Sequence, residues 1–306
     1  MDSNELLLSI CIPTNGAVQW ILPVLDSIFE QNVDQTKFEV VITDNGKDSE
    51  LEKYIEKYPY DNLRYYKTDD EGFLNLVTSL KKGNGLYCKM LNHRSVLIPG
   101  SINNWLEMVE EFKEDQPIIY CTDGQLSFGD IKVCSNLDQF VKNMSYLTSW
   151  SAGIGFWKKD IPGITGISLN AMFPNSSLLF EIRQKSEYVI WNKKYQNMLD
   201  DSGKGGYNYF ETFGVVYLDI LNDLRIRNRI SKSTFISVKH DLYAFLCRAY
   251  YKEVYHKSKH NYILDNVEEN IVYYYGKSQF KWMKFMCIIR DLKRPFNPLI
   301  NFLKKH

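Results

Sequence analysis

The first third of the chain alternates short apolar runs with stretches of helical spacing. Leu6-Leu-Leu-Ser-Ile-Cys-Ile-Pro13 is nearly continuous in apolar residues and ends on a breaker. Such a run suits a strand buried on both faces of a parallel sheet. Trp20, Ile21, Val24, Leu25, Ile28 and Phe29 then recur with the three-and-four spacing of an amphipathic helix. Phe38 to Thr43 predicts a second strand, stopped by the turn signal Asp44-Asn45-Gly46. Leu51, Tyr54 and Ile55 mark a short helix, Leu63 to Tyr66 a third strand, and Phe73 to Leu80 another helix. Leu86 to Leu91 predicts a fourth strand. A helix follows, opened by Pro99-Gly100-Ser101 and carrying Ile102, Trp105, Leu106, Val109 and Phe112, and then a fifth strand over Ile118 to Cys121.

Strands separated by helices imply right-handed crossovers and an open, mostly parallel sheet. Ligands of such sheets sit beyond the carboxyl ends of the strands. The loops that face this region are 14–16, 44–46, 68–72, 92–95 and 122–125, and all five are polar. From 126 to 195 the pattern is less regular. It holds a small-residue run closed by aromatics, Ser151-Ala-Gly-Ile-Gly-Phe-Trp157, and a helix start at Phe173-Pro-Asn-Ser-Ser. Beyond about 206 the spacing turns helical, with helices expected around Val215 to Arg225, Leu242 to Tyr255 and Asp265 to Tyr275. The expected organisation is an α/β domain over 1–200 followed by a helical region over 201–306.

Charge and cysteine content narrow the class. Lys and Arg number 37 against 37 Asp and Glu, so a general nucleic-acid binder, which should be basic, is not expected. No apolar run approaches the roughly 18 to 20 residues needed to cross a bilayer. Acidic Asp2 and Glu5 precede the first apolar run, which argues against a signal peptide and for a cytoplasmic chain. Cys11, Cys88, Cys121, Cys134, Cys247 and Cys287 are scattered without a Cys-x-x-Cys pair, so buried free thiols are expected.

Three ordered pieces carry a family resemblance. Ser9-Ile-Cys-Ile-Pro-Thr-Asn15, Phe38-Glu-Val-Val-Ile-Thr-Asp-Asn45 and Gly83-Asn-Gly-Leu-Tyr-Cys-Lys-Met-Leu91 resemble successive segments of a family 2 glycosyltransferase with the GT-A fold. Ser151 to Trp157 resembles the acceptor-side segment of the same family. The resemblance spans roughly 1–190. It implies a Rossmann-like, mostly parallel sheet flanked by helices, and transfer of a sugar from a nucleotide donor, UDP-linked, to a bacterial surface glycan. It further implies inversion at the sugar carbon. Pro13, Thr14, Asn15, Asp44 and Asn45 match the nucleoside-binding segments, with Asp44 contacting the base.

One departure is chemical. Where the family carries Asp-x-Asp to hold Mg²⁺ or Mn²⁺ against the diphosphate, this chain reads Asn92-His93-Arg94-Ser95. A hard cation wants charged oxygen ligands, and arginine cannot ligate at all. Either Arg94, helped by His93 or Lys89, neutralises the leaving diphosphate directly, or a weakly held metal uses another carboxylate such as Asp123. The third alternative is a non-catalytic relative that scaffolds a glycan-assembly complex. No dedicated metal ligands are assigned. For the catalytic base, which the family places at the start of a helix after the acceptor segment, the candidates are Asp123, Glu181 and Asp160; Lys158-Lys-Asp160 reads as a solvated turn. Trp150 and Trp157 could pack in the core or stack on a sugar. A nucleotidyltransferase is disfavoured by the lack of a Gly-rich phosphate loop with lysine near the N-terminus.

From 277 onward, Lys277, Lys281, Lys284, Arg290, Lys293, Arg294, Lys304 and Lys305 face one acid, Asp291. Aromatic and aliphatic residues are interleaved with them. This mixture suits an interfacial segment on an anionic membrane, and with it a peripheral place on the inner face of the cell membrane. The resemblance adds a lipid-linked glycan as acceptor.

Overall fold

A computed structural model describes residues 5–200 and 205–293. The chain divides into two compact units, Met1–Asp200 and Asp201–His306.

In the first unit the elements run β1 (Leu8–Thr14), α1 (Val18–Phe29), β2 (Phe38–Asp44), α2 (Glu50–Ile55), β3 (Leu63–Lys67), α3 (Asn75–Lys82), β4 (Tyr87–Met90), β5 (Ser95–Leu97), α4 (Ser101–Phe112) and β6 (Ile118–Cys121). There follow β7 (Ile131–Cys134), α5 (Leu137–Met144), β8 (Gly155–Trp157), α6 (Pro174–Glu181), β9 (Tyr188–Trp191) and β10 (Gln196–Met198). The main sheet has the order β3-β2-β1-β4-β8. Its first four strands are parallel and β8 is antiparallel to β4. Every residue of β2 is buried, as the unbroken apolar run requires of a central strand covered on both faces. Leu8, Ile10, Ile12, Val40 and Ile42 meet Ile21, Val24, Leu25 and Ile28 of α1 in one core, which α4 extends through Ile102, Trp105 and Val109.

β6 does not pair with β4. It is joined by β9 and β7 in a second, three-stranded sheet of order β6-β9-β7. A single antiparallel bridge, Tyr120 to Ile154, links β6 to the residue before β8. The glycines of the 151–157 run explain how β8 wedges in. A Cβ on Gly153 would lie 2.1 Å from the Tyr120 ring, and one on Gly155 2.4 Å from the Tyr87 hydroxyl. Both tyrosines are fully buried, so only hydrogen fits at either position.

The second unit comprises β11 (Gly205–Asn208), α7 (Tyr209–Glu211), a π-turn over Thr212–Val216, α8 (Tyr217–Ile226), α9 (Lys232–Ala249), a second π-turn over Tyr250–Tyr255, β12 (Asn261–Ile263) and α10 (Val267–Lys293). β11 and β12 form a short parallel pair. α10 breaks at Gly276, whose φ of 81° is left-handed. The helix expected from Leu242 begins ten residues earlier, at Lys232. There Ser231 caps it by accepting from the Thr234 N–H at 3.1 Å.

Candidate active site

The strand order fixes where a ligand would sit. The chain winds from β1 outward through β2 to β3, then crosses back to place β4 on the other side of β1. The crevice beyond the carboxyl ends of β1 and β4 is therefore the topological switch point, the binding place of open α/β sheets. Pro13 and Thr14 end one strand, and Leu91, Asn92 and His93 follow the other. His93 spans the gap, its Nδ1 lying 3.3 Å from the carbonyl oxygen of Pro13.

The neighbouring loops are tied to the same edge. The Asn45 N–H donates to the Thr14 carbonyl at 3.1 Å, and the Thr68 N–H to the Asp44 carbonyl at 2.9 Å. Asn75, buried at the start of α3, donates through its amide to the carbonyls of Thr14 (3.0 Å) and Thr43 (2.9 Å) and accepts from the Thr68 hydroxyl. Sequence reasoning passed over this residue; a polar side chain on the apolar face of a helix was the available signal. Asn45 reaches the carbonyls of Asp70 and Gly72, which draws the acidic 69–71 loop to the turn after β2.

Asp44 has no solvent exposure. Its Oδ1 accepts from the Gly46 N–H at 2.7 Å, while Oδ2 accepts from the Tyr65 hydroxyl at 2.7 Å and pairs with Lys67 at 3.1 Å. Burial and the nearby Asp44 carboxylate push the Tyr65 phenol up beyond its ordinary range. The carboxylate thus shapes the β2 turn from beneath, and Gly16 closes over it: a Cβ there would lie 3.4 Å from Oδ1. Asn15 is exposed, whereas Thr14 is buried with its hydroxyl oxygen unpartnered.

Past β4, Asn92 turns its side-chain oxygen back on the Arg94 N–H at 2.9 Å. Arg94 lies with its guanidinium 4.5 Å from the ring centroid of Trp20, in the first turn of α1, and donates to the Asp200 carbonyl at 3.3 Å. This corner does not fit a hard divalent ion. The Asn92 oxygen is engaged, His93 faces a carbonyl, and Arg94 brings only positive charge. Among the described residues no three His, Cys, Asp or Glu side chains gather as a metal site.

Asp123 follows β6 in a left-handed conformation, φ 58°. Its Oδ1 accepts from the N–H groups of Tyr195 (2.8 Å) and Gln196 (3.1 Å), and Oδ2 accepts no hydrogen bond among the described residues. Burial raises its pKa above the ordinary carboxylate value, opposed by those two hydrogen bonds and by Lys194 and Lys89. Lys89 of β4 is completely buried. Its ammonium donates to the carbonyls of Met90 and Ala152 and lies 5.5 and 5.3 Å from the rings of Trp105 and Tyr195. Burial lowers its pKa to about 8. The Tyr195 hydroxyl donates to the same Ala152 carbonyl at 3.2 Å. Lys89, Tyr195 and Asp123 therefore lock the small-residue segment against the loop after β6.

The remaining candidates are placed elsewhere. Glu181 ends α6, about 10 Å along the axis from Pro174 at 1.5 Å per residue. It is the start of α6 that meets the turn just before the 151–157 run, where Asn175 donates to the Ser149 carbonyl at 3.2 Å and Ser176 to that of Thr148 at 3.0 Å. Asp160 is not a solvated turn residue. It is buried in a bidentate pair with Arg183, at 2.8 and 2.7 Å. Trp157 is core, its indole N–H donating to the Pro117 carbonyl at 2.7 Å.

Comparison with known proteins agrees with this fold. The family model described as Glycosyl transferase family 2 matches residues 9–87. No curated protein matches the chain. Among solved structures, residues 1–349 of TarS from S. aureus superpose with a TM-score of 0.54 at 16% identity, covering 80% of this chain and 72% of that one. The same fragment in complex with UDP-GlcNAc gives 0.53 at 15% identity over the same shares. A mannosyltransferase from Pyrobaculum calidifontis, in complex with GDP-Man and Mn²⁺, gives 0.51 at 14% identity and covers 96% of this chain and 88% of that one. At these identities the likeness is one of fold.

Proposed function

We propose that this chain, whose residues 9–87 match the family 2 glycosyltransferase model and whose fold is that of GT-A relatives, moves one sugar from a UDP-linked donor to a glycan hydroxyl. The single observation that carries the reading is the switch point itself, bridged by His93 and Pro13 inside the matched fold. The nucleotide sugars bound in the fold relatives support the donor class: UDP-GlcNAc in TarS and GDP-Man in the mannosyltransferase. UDP is the donor nucleotide we assign. The acceptor we assign is a surface glycan, free or lipid-linked.

The nucleoside lies along Pro13, Thr14, Asn15 and Asn45, over the turn that Asp44 supports from below. The unpartnered Thr14 hydroxyl oxygen is a group that a ligand donor would satisfy; left unmet, such a buried atom costs about 1–3 kcal/mol. The diphosphate lies toward Arg94. A guanidinium offers a planar fork to phosphate oxygens, and its place beside the first turn of α1 adds to the positive end of that helix.

The reaction is one inverting displacement. The acceptor oxygen forms a bond to the anomeric carbon as the bond from that carbon to the diphosphate oxygen breaks. The acceptor proton passes to Oδ2 of Asp123, and UDP leaves with its new charge facing Arg94. Asp123 is preferred to Glu181 because its raised pKa and open oxygen suit a base, and because its Oδ1 bonds fix the carboxylate. On this reading transfer needs no divalent ion.

The departure at 92–94 favours one second reading: a chain that binds the nucleotide without turning it over and scaffolds an active enzyme. One experiment separates the two. UDP binding is measured calorimetrically and sugar release from UDP-sugars is followed with EDTA and with Mn²⁺ present. Binding and turnover that both survive EDTA support the metal-free transferase. Binding without turnover supports the scaffold, and no binding of any nucleotide removes both.

A further inference from the structure

We infer that the outer face of α10 after Gly276 is a docking surface for an anionic lipid bilayer. The inner face of this helix is already used. Phe280, Met283 and Cys287 recur at i, i+3 and i+7 and are buried, and Asp291 on the same side accepts from Tyr251 and approaches His256 at 3.0 Å. At 100° per residue the opposite side carries Trp282, Phe285, Ile289 and Leu292, at i, i+3, i+7 and i+10. An inward-facing stripe would be covered, but Trp282 is 51% exposed, Phe285 50% and Leu292 68%. The rings of Trp282 and Phe285 stand 5.6 Å apart, so the aromatic surface is continuous.

The flank of the stripe chooses the occupant. Lys277, Lys281 and Lys284 run along one side at i, i+4 and i+7, all exposed, and none of them forms an ion pair among the described residues. The only acid of the helix after Gly276, Asp291, is turned to the inner face. A second copy packed along the stripe would bring lysine rows to a surface with no carboxylate to meet them, which disfavours pairing. A bilayer rich in anionic headgroups meets both needs at once. It takes the apolar stripe into the headgroup boundary and the lysines into the negative surface potential. The sequence beyond 293, outside the described residues, continues in kind, with Arg294, Lys304 and Lys305, apolar Phe296, Leu299, Phe302 and Leu303, and no acid. No helix among the described residues is long and apolar enough to cross a membrane.

The inference is independent of the transfer chemistry, and its test uses neither donor nor acceptor. The full chain is sedimented with phosphatidylglycerol-containing vesicles and with pure phosphatidylcholine vesicles. The wild type is expected to bind the anionic vesicles alone. Raising salt from about 0.05 M to about 0.5 M shortens the screening length about threefold and should weaken the binding. The double variant Trp282→Glu and Phe285→Glu alters two exposed side chains, so it should keep its circular dichroism and melting temperature. Its vesicle affinity should fall about tenfold or more. Equal binding by the double variant overturns the inference, as does an absence of binding to anionic vesicles. A dimer in analytical ultracentrifugation that the double variant abolishes would also overturn it, assigning the stripe to a second copy.

Discussion

The ammonium of Lys89 lies 5.3 Å from the centre of the Tyr195 ring with no exposure to solvent, and the Tyr195 N–H donates to Asp123. A buried cation whose hydrogen-bond partners are two carbonyls is unusual, because desolvation penalises the charged form. Its pKa of about 8 lies below the ordinary 10.5. Between those values the unfolded chain holds more protons than the folded one. Stability from this group therefore rises as pH climbs from about 8 toward 10.5, and the full penalty applies below about 8. Lys89→Met removes the penalty, of order 3 kcal/mol as an upper limit, but takes the ammonium's hydrogen bond from the Met90 carbonyl and leaves that of Ala152 with the Tyr195 hydroxyl alone. The net change at neutral pH should thus be small. The telling quantity is the melting temperature of wild type minus that of Lys89→Met, which should increase between pH 8 and 10. A flat difference would mean that the ammonium is not held as described.

Asp123 carries two roles that substitution can separate. Asn keeps an oxygen for the Tyr195 and Gln196 N–H groups, so Asp123→Asn should fold normally and bind UDP. Transfer should fall about 10²–10⁴-fold if this carboxylate is the base. Asp123→Ala loses both hydrogen bonds and should cost about 1–3 kcal/mol as well. Because burial raises the folded pKa, the wild type loses stability as pH rises from the ordinary value of 3.8 through the raised one. Urea midpoints across that range should show this slope in wild type and not in Asp123→Asn. The acid limb of the transfer rate should lie above the ordinary carboxylate pKa for the same reason. Full activity of Asp123→Asn would pass the role of base to another group.

The central sheet was legible in the sequence because its signals are local. β1 and β2 are short apolar runs bounded by Pro13 and by Asp44-Asn45-Gly46, and the sheet buries them on both faces as such runs demand. β7, α5 and β9 were not legible. β7 is only four residues long and its alternating Ile131 and Val133 face outward, so its pattern is too short to mark a strand, and β9 pairs with β6 across seventy residues. α9 starts ten residues before the apolar pattern suggests, because its capping Ser231 precedes a stretch of weak amphipathicity. At the site, the loops could be named from the strand ends, but their ties could not. Asn75 acts through carbonyls of two strands, and Asp160 finds Arg183 twenty-three residues away. Asn75 shows in the sequence only as a polar residue on an apolar helix face, and nothing in the spacing of Asp160 points to Arg183.

The 151–157 run makes a prediction about packing. A methyl group on Gly153 would fall 2.1 Å from the Tyr120 ring, whose hydroxyl donates to the Leu147 and Trp150 carbonyls and so cannot swing away. Gly153→Ala should destabilise the fold by about 1–3 kcal/mol or more, read as a lowered urea midpoint with unchanged slope. The double variant Gly153→Ala with Tyr120→Phe frees the ring of its hydrogen bonds and should recover part of the loss. An unchanged midpoint for the single variant would mean that Tyr120 does not cover this glycine.

Arg94 offers the test closest to the chemistry. Its side chain rests on Trp20 and on the Asp200 carbonyl, contacts that Lys cannot reproduce because an ammonium lacks the planar fork. If the guanidinium faces the diphosphate, Arg94→Ala should weaken UDP binding by about 1.5–3 kcal/mol, roughly tenfold or more, as expected for a hydrogen bond to a charged group. Arg94→Lys should restore only part of it. Uridine, which has no phosphate, should bind wild type and both variants alike. The comparison between UDP and uridine separates the two ways the residue could matter. A loss confined to UDP places the charge at the phosphates, whereas an equal loss for both ligands would show that Arg94 acts through Trp20 and the shape of the pocket.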